Sequence, residues 1–138
     1  QGVFLPGLGT FAMVQEEFQG EQEVFTIRRP VFQLNIDVAY LQELMFQIVT
    51  IPANATIKPL NYWWLSQATS IPRFMVEDCV RETILLYSFQ LRNRQRPSFI
   101  FKDIGVLSCQ HDVLCMRFYY DCVTGLESKA SRIALLHT

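Results

Sequence analysis

Few residues of this chain have the type and spacing to do chemistry. Cys109, His111 and Cys115 lie close together, and thiolate and imidazole are zinc ligands. A closed structural site takes four ligands, usually in close pairs such as Cys-x-x-Cys, and no second pair accompanies these three. The spacing therefore reads as a hairpin that carries two thiols. The other histidine is His137, next to the C-terminus, so a Ser-His-Asp relay would rest on His111 with nothing to support it. Gly7-Leu8-Gly9 lacks the third glycine and the following helix of a nucleotide loop. There is no phosphate loop, no His-Glu-x-x-His and no nucleophile elbow. The residues point to no enzyme, no metal and no cofactor, and so to a protein that works by binding.

The remaining charged cluster is Arg92, Arg94, Arg96 and Lys102. It is a candidate surface for an anion or an acidic partner. Its plainer reading is the solvated end of a helix, where cations complement the negative pole. The whole chain has a formal net charge of −1 and a pI near 6.1, so nothing draws it as a body toward nucleic acid. With 138 residues, 50% hydrophobic and 18% charged, it suits one ordinary folded domain or two small ones, not a disordered segment. No apolar run is long enough to span a bilayer. Its four cysteines read as reduced thiols in a cytoplasmic setting, with Cys79 packing as a small hydrophobe on a helix. Asn54-Ala55-Thr56 fits a glycosylation sequon but lies in a polar linker. Gln1 is no initiator and no signal segment follows, so a piece of a longer protein is expected.

The elements that hold these residues are legible in outline. Residues 2–5, 10–18 and 23–32 read as three strands, with Gly7 and Gly9 at a kink and Gln19-Gly20 in a turn. Val38, Leu41, Leu44, Met45 and Ile48 fall at helical steps, predicting a helix over 37–48. Residues 49–59 carry Pro52, Asn54 and Pro59 and read as a linker. Asn61 caps a short helix through Tyr62-Trp63-Trp64-Leu65, and Ser70 caps a longer one that runs to about Leu91. The stripe of that helix is Val76, Cys79, Val80, Thr83, Ile84, Tyr87 and Leu91, with a Glu77–Arg81 pair outside. Three strands follow over 98–107, 108–113 and 114–122, with a turn near His111-Asp112, and a last helix over 127–136. Successive helix positions point about 100° apart, so one or two of Tyr62, Trp63 and Trp64 should bury and the other be a docking surface, for the neighbouring unit in preference to a separate partner.

One stretch occurs twice. Phe4-Leu5-Pro6-Gly7-Leu8-Gly9-Thr10-Phe11, a hairpin, and Arg29-Pro30-Val31-Phe32 return as Ile100-Phe101-Lys102-Asp103-Ile104-Gly105-Val106-Leu107, a shorter hairpin, and Arg117-Phe118-Tyr119-Tyr120. Each reads strand, kink, strand, turn, strand, which implies two related units in tandem. The order helix pair, three strands and helix resembles the HU and IHF fold. Gly7-Leu8-Gly9-Thr10-Phe11 and Pro30-Val31-Phe32 match that family's two motifs, and Gly105 is what survives of the glycine pair in the second copy. More narrowly, the chain is similar to the tandem eukaryotic HU-like domains of coiled-coil domain-containing protein 81. Pro59-Leu60-Asn61, Cys79-Val80-Arg81-Glu82-Thr83 and Met116-Arg117-Phe118-Tyr119 also carry that resemblance.

The resemblance implies an α+β protein of two tandem HU/IHF-like units, each a helix pair, a three-stranded β-ribbon sheet and a C-terminal helix. The first, residues 1–50, would lack its helix pair, as expected if the chain is cut upstream of Gln1. Residues 51–59 would be a linker and 60–138 the second unit. Gly7, Gly9, Phe11, Pro30, Phe32, Gly105 and Arg117 are the fold-motif residues. The resemblance further implies protein partners, association of the two units as a pseudo-dimer, and a place at the centrosome or ciliary cytoskeleton. DNA bending in such a fold needs a basic arm and an apolar wedge. Residues 12–23 carry Glu16, Glu17, Glu21 and Glu23 with no Lys, Arg or proline, so phosphate would be repelled. Aligning Gly9 with Gly105 and Arg29 with Arg117 makes the second hairpin 8 residues shorter, too short to wrap a duplex. The expected function is protein–protein interaction or scaffolding without membrane contact; nucleic-acid binding through Arg92, Arg94 and Arg96 is the alternative.

Overall fold

A computed structural model describes residues 2–41 and 43–125. The predicted helix over 127–136 lies outside them. Alternating β-prone residues pair β1 (Gly2–Leu5), β2 (Gly9–Gln19) and β3 (Val24–Leu34) into an antiparallel sheet. A second antiparallel set is β6 (Phe99–Phe101), β7 (Gly105–Gln110) and β8 (Val113–Phe118). Each sheet gains a parallel edge strand: β5 (Ile57–Pro59) on β1 and β4 (Met45–Phe46) on β8. Two helices lie between, α1 (Tyr62–Thr69) and α2 (Arg73–Arg92), and α3 (Tyr120–Thr124) follows β8.

The repeat is real in three dimensions. Leu5 faces Gly9 across β1–β2 as Phe101 faces Gly105 across β6–β7. Both intervening turns hold a left-handed residue, Gly7 at φ 81° and Asp103 at φ 63°. Both close alike: the Leu8 amide donates to the Leu5 carbonyl and the Ile104 amide to the Phe101 carbonyl, at 3.1 and 3.0 Å. The Leu8 and Ile104 carbonyls then each accept from the chain just past the hairpin, from Asn35 and Tyr119, both at 2.9 Å. At Gly9 and Gly105 the return strand crosses too close for a side chain. A Cβ on Gly9 would lie 2.5 Å from the Gln33 carbonyl oxygen, and one on Gly105 would lie 2.8 Å from Met116 Cε.

The two sheets face one another over a single apolar core. It joins Leu8, Phe32, Leu41 and Leu44 from the first half to Ile84, Tyr87, Leu107 and Leu114 from the second. Phe11 is the hinge of an aromatic seam, with ring centroids 4.7 Å from Phe32, 4.9 Å from Phe101 and 6.3 Å from Phe118. Helix α2 lays Ile84, Tyr87 and Leu91 into this core and also buries Val76 and Ser88. The two units thus associate within the chain.

Several expectations are corrected. Residues 37–48 do not form a helix: Asp37 caps only the 3-10 turn Val38–Tyr40, and Glu43 adopts a left-handed φ of 62°. Met45 then donates to the Asp112 carbonyl and begins β4, because the open edge of β8 satisfies its backbone groups. Leu41 and Leu44 bury, whereas Val38 and Ile48 of the supposed stripe face solvent. Ser70 does not cap α2; it ends α1 in a left-handed turn, and Pro72 precedes α2 without a side-chain cap. Cys79 and Thr83 are exposed. Glu77 pairs with Arg73 at 3.1 Å and Arg81 with Asp78, not with each other. Strand β8 stops at Phe118, since the Tyr119 amide is taken by Ile104 and α3 begins. The register pairs Gly9 with Leu34 and Gly105 with Phe118. These partners are 25 and 13 positions on, so the second hairpin is 12 residues shorter, and Arg117 is the equivalent of Gln33 rather than of Arg29.

Candidate functional site

Asn61 accepts the Trp64 amide at 2.9 Å and fixes the start of α1, as expected of an N-cap. No residue of α1 is buried. Trp63 is 62% and Trp64 59% exposed, against the expectation that one or two of the three aromatics bury. Helix α1 packs chiefly on α2, and its two tryptophans stand largely in solvent. Beneath the tryptophans opens a groove of about 1140 Å³. Its floor includes Val3 of β1 and Phe11 of β2, and Ile104, Phe118 and Cys122 also line it. Lys58 and the Arg73–Glu77 pair give it charge. Burial pushes the Cys122 thiol above its ordinary pKa, so it stays neutral. A second set of exposed apolar residues on α2 is Phe74, Leu85 and Leu86.

The predicted cationic surface is dispersed. Arg92 lies over the Tyr40 ring at 6.0 Å, Arg94 is 3.8 Å from Glu43, and Arg96 reaches Asp112 at 3.1 Å. Helix α2 ends at Arg92, so Arg94 and Arg96 lie beyond it, and Lys102 sits in the turn after β6. Arg117 donates to Gln110 on the adjacent strand. The β2–β3 hairpin carries Glu16 and Glu17 on β2, Glu21 and Glu23 in the connection, and Arg28 and Arg29 on β3. Arg29 Nε lies 3.2 Å from Glu16 Oε2, an ion contact without hydrogen-bond geometry, and its guanidinium sits over Phe18 at 5.6 Å. The β7–β8 connection is the two-residue turn His111-Asp112, both at positive φ.

All four cysteines are free thiols. Burial raises the Cys109 pKa, partly countered by Arg96. Among the described residues no group of three or more His, Cys, Asp or Glu is arranged to hold a metal, and Cys109 faces Leu114 rather than Cys115. No described helix is long and apolar enough to cross a membrane.

Two sheet-and-helix units, related by a repeated hairpin and packed through one core, define a tandem HU/IHF-like α+β arrangement. The family model described as CCDC81 eukaryotic HU domain 2 matches residues 56–130, which takes in β5 to α3. That is more than half of the chain, and the chain belongs to this family. It is a non-enzymatic HU-fold module; proteins of the HU-domain family are non-catalytic. Sequence reasoning singled out Trp63, Trp64 and Phe118 but missed Val3, Ile104 and Cys122. The repeat was the available signal, because it sets exposed Ile104 in the place of Leu8.

Proposed function

We propose that the chain is a protein–protein interaction or scaffolding module of a centrosome- or cilium-associated protein. The observation that carries this reading is the pair of exposed tryptophans on a helix with no buried residue, standing over an apolar groove. Contiguous exposed apolar surface of this kind marks interaction sites, and tryptophan is a favoured anchor in them. The hairpins support it by what they lack for DNA: the long one is net acidic and the short one ends in two residues. On this reading residues 1–50 and 60–138 act as one body, joined through 51–59. The placement at the centrosome or cilium rests on the family alone. Arg92, Arg94, Arg96 and Lys102 are a subsidiary anion or acidic-partner surface, weakened by Glu43 and Asp112.

A fluorescence-anisotropy titration of nicked and intact duplex DNA tests the reading. No binding at low or physiological salt is expected. Tight binding with a steep salt slope would overturn it in favour of nucleic acid.

A further inference from the structure

Helix α2 carries a second face that the core does not use. Ile84, Tyr87 and Leu91 belong to the core cluster, whereas Phe74 and Leu85 stand neither in it nor among the partly buried residues packed against it. Between these two lie Asp78 and Arg81, which form an ion pair on the surface of the helix. Successive helical residues turn by about 100°, so Phe74, Asp78, Arg81 and Leu85 fall within about 60° of one another. Their steps are four, three and four residues, the spacing of a seam along which helices pair. All four are open to solvent: Phe74 is 67% exposed and Leu85 44%, and the Arg81 and Asp78 side chains are 64% and 52% exposed. The ring contacts of α2 leave this seam untouched, since Tyr87 meets Phe99 and Phe89 meets Tyr40.

We infer that this face pairs with the same face of a second copy of the chain, α2 against α2 and antiparallel. An interface between identical chains about a two-fold axis must be self-complementary. The seam meets that condition: turned end for end, its steps of four, three and four are unchanged, and the axis falls between Cys79 and Val80. Phe74 then lies against Leu85 of the partner subunit and Asp78 against Arg81 of the partner subunit, and each contact occurs twice. Two Asp78–Arg81 pairs, one from each chain, close into a ring of alternating charge. A parallel pair in register would instead set Asp78 on Asp78 and Arg81 on Arg81, so charge selects the antiparallel arrangement. A partner of different sequence would need only to match these charges; a seam that reads the same in both directions points to a second copy. The face is about three turns long, so it buries less than the roughly 1,200 Å² of the smaller stable interfaces. The dimer is therefore weak, with a Kd of about 10–100 µM. This contact goes beyond the interaction reading above, which rests on the groove and not on this face.

Sedimentation equilibrium of the 138-residue chain between about 10 and 500 µM measures the pairing. A monomer–dimer equilibrium is expected. Asp78→Arg makes both central positions of the seam basic, and Arg81→Asp makes both acidic. Each variant alone should dimerise at least about tenfold more weakly than the parent, because like charges then meet across the axis. An equimolar mixture of the two should give a 1:1 dimer at least as tight as the parent's, and the double variant Asp78→Arg/Arg81→Asp should dimerise as the parent does. Both side chains are exposed, and circular dichroism confirms that each variant folds. Mixing cannot repair a damaged fold, so recovery in the mixture reports the contact itself. Three results overturn the inference: a parent that stays monomeric across the range, dimerisation indifferent to both substitutions, or a mixture in which the two variants remain apart. Dimerisation through the groove would appear as the second of these. Any of the three leaves the interaction reading standing, and that reading fails instead if duplex DNA binds as described above.

Discussion

Leu8 and Ile104 hold equivalent positions in the two turns, yet one is sealed under α2 and the other opens on the groove. Replacing each by alanine deletes three carbons from the same backbone setting, so the difference in cost measures the cover. At about 0.8 kcal/mol per buried methylene, the transfer loss for Leu8→Ala is about 2.4 kcal/mol. The cavity left in the shared core raises this to about 3–4 kcal/mol. Ile104 is 36% exposed, which scales the transfer loss to about 1.5 kcal/mol. No cavity term follows, because the groove already admits water. The two variants should differ by about 2 kcal/mol, or about 1 M in urea midpoint at an m-value near 2 kcal/mol/M. Urea denaturation followed by far-ultraviolet circular dichroism reads this directly. Equal costs, within about 0.5 kcal/mol, would mean that the groove is closed in solution.

Two further expectations follow from single residues. Gly105→Ala would drive a methyl to 2.8 Å from Met116 Cε and 2.9 Å from Phe118 Cα, with the Arg117 carbonyl oxygen closer still. It should cost about 2–3 kcal/mol and lower amide-exchange protection along β7 and β8, whereas protection equal to the parent would show that the strands yield freely. The buried Tyr87 hydroxyl has no hydrogen-bond partner among the described residues, and burial, helped by nearby Cys109, pushes its pKa well up. A raised folded pKa stabilises below the unfolded value, near 10, and that stability drains away as the pH climbs past it. Tyr87→Phe should therefore leave stability at neutral pH unchanged or about 1 kcal/mol higher. Between neutral pH and about pH 10.5 it should lose less stability than the parent, and a parallel decline in both proteins would refute the assignment.

Local chemistry was enough for much of this chain. The Asn61 cap, the length of α2, the His111-Asp112 turn and the strand–kink–strand repeat each depend on residues close in sequence, where capping, periodicity and positive-φ turns act. The acidic hairpin was equally plain, because charge is read without a fold. The segment 37–48 shows the opposite case. Its apolar spacing satisfies a helix, but the open edge of β8 offers Met45 and Phe46 backbone partners that no local pattern announces. Ser70 and the Glu77–Arg81 spacing failed similarly: a left-handed turn and the nearer partners Arg73 and Asp78 took the roles that spacing suggested.

The sequence by itself determined that the chain repeats a hairpin, belongs with HU-like units and carries no catalytic constellation. Tertiary structure alone decided which copy of the repeat is covered. Leu8 and Ile104 are alike in hydropathy and in local context, and burial is a property of what lies across the turn. Only the path of α2, carried over the first unit while its own sheet supports it, seals one and leaves the other beneath the tryptophans.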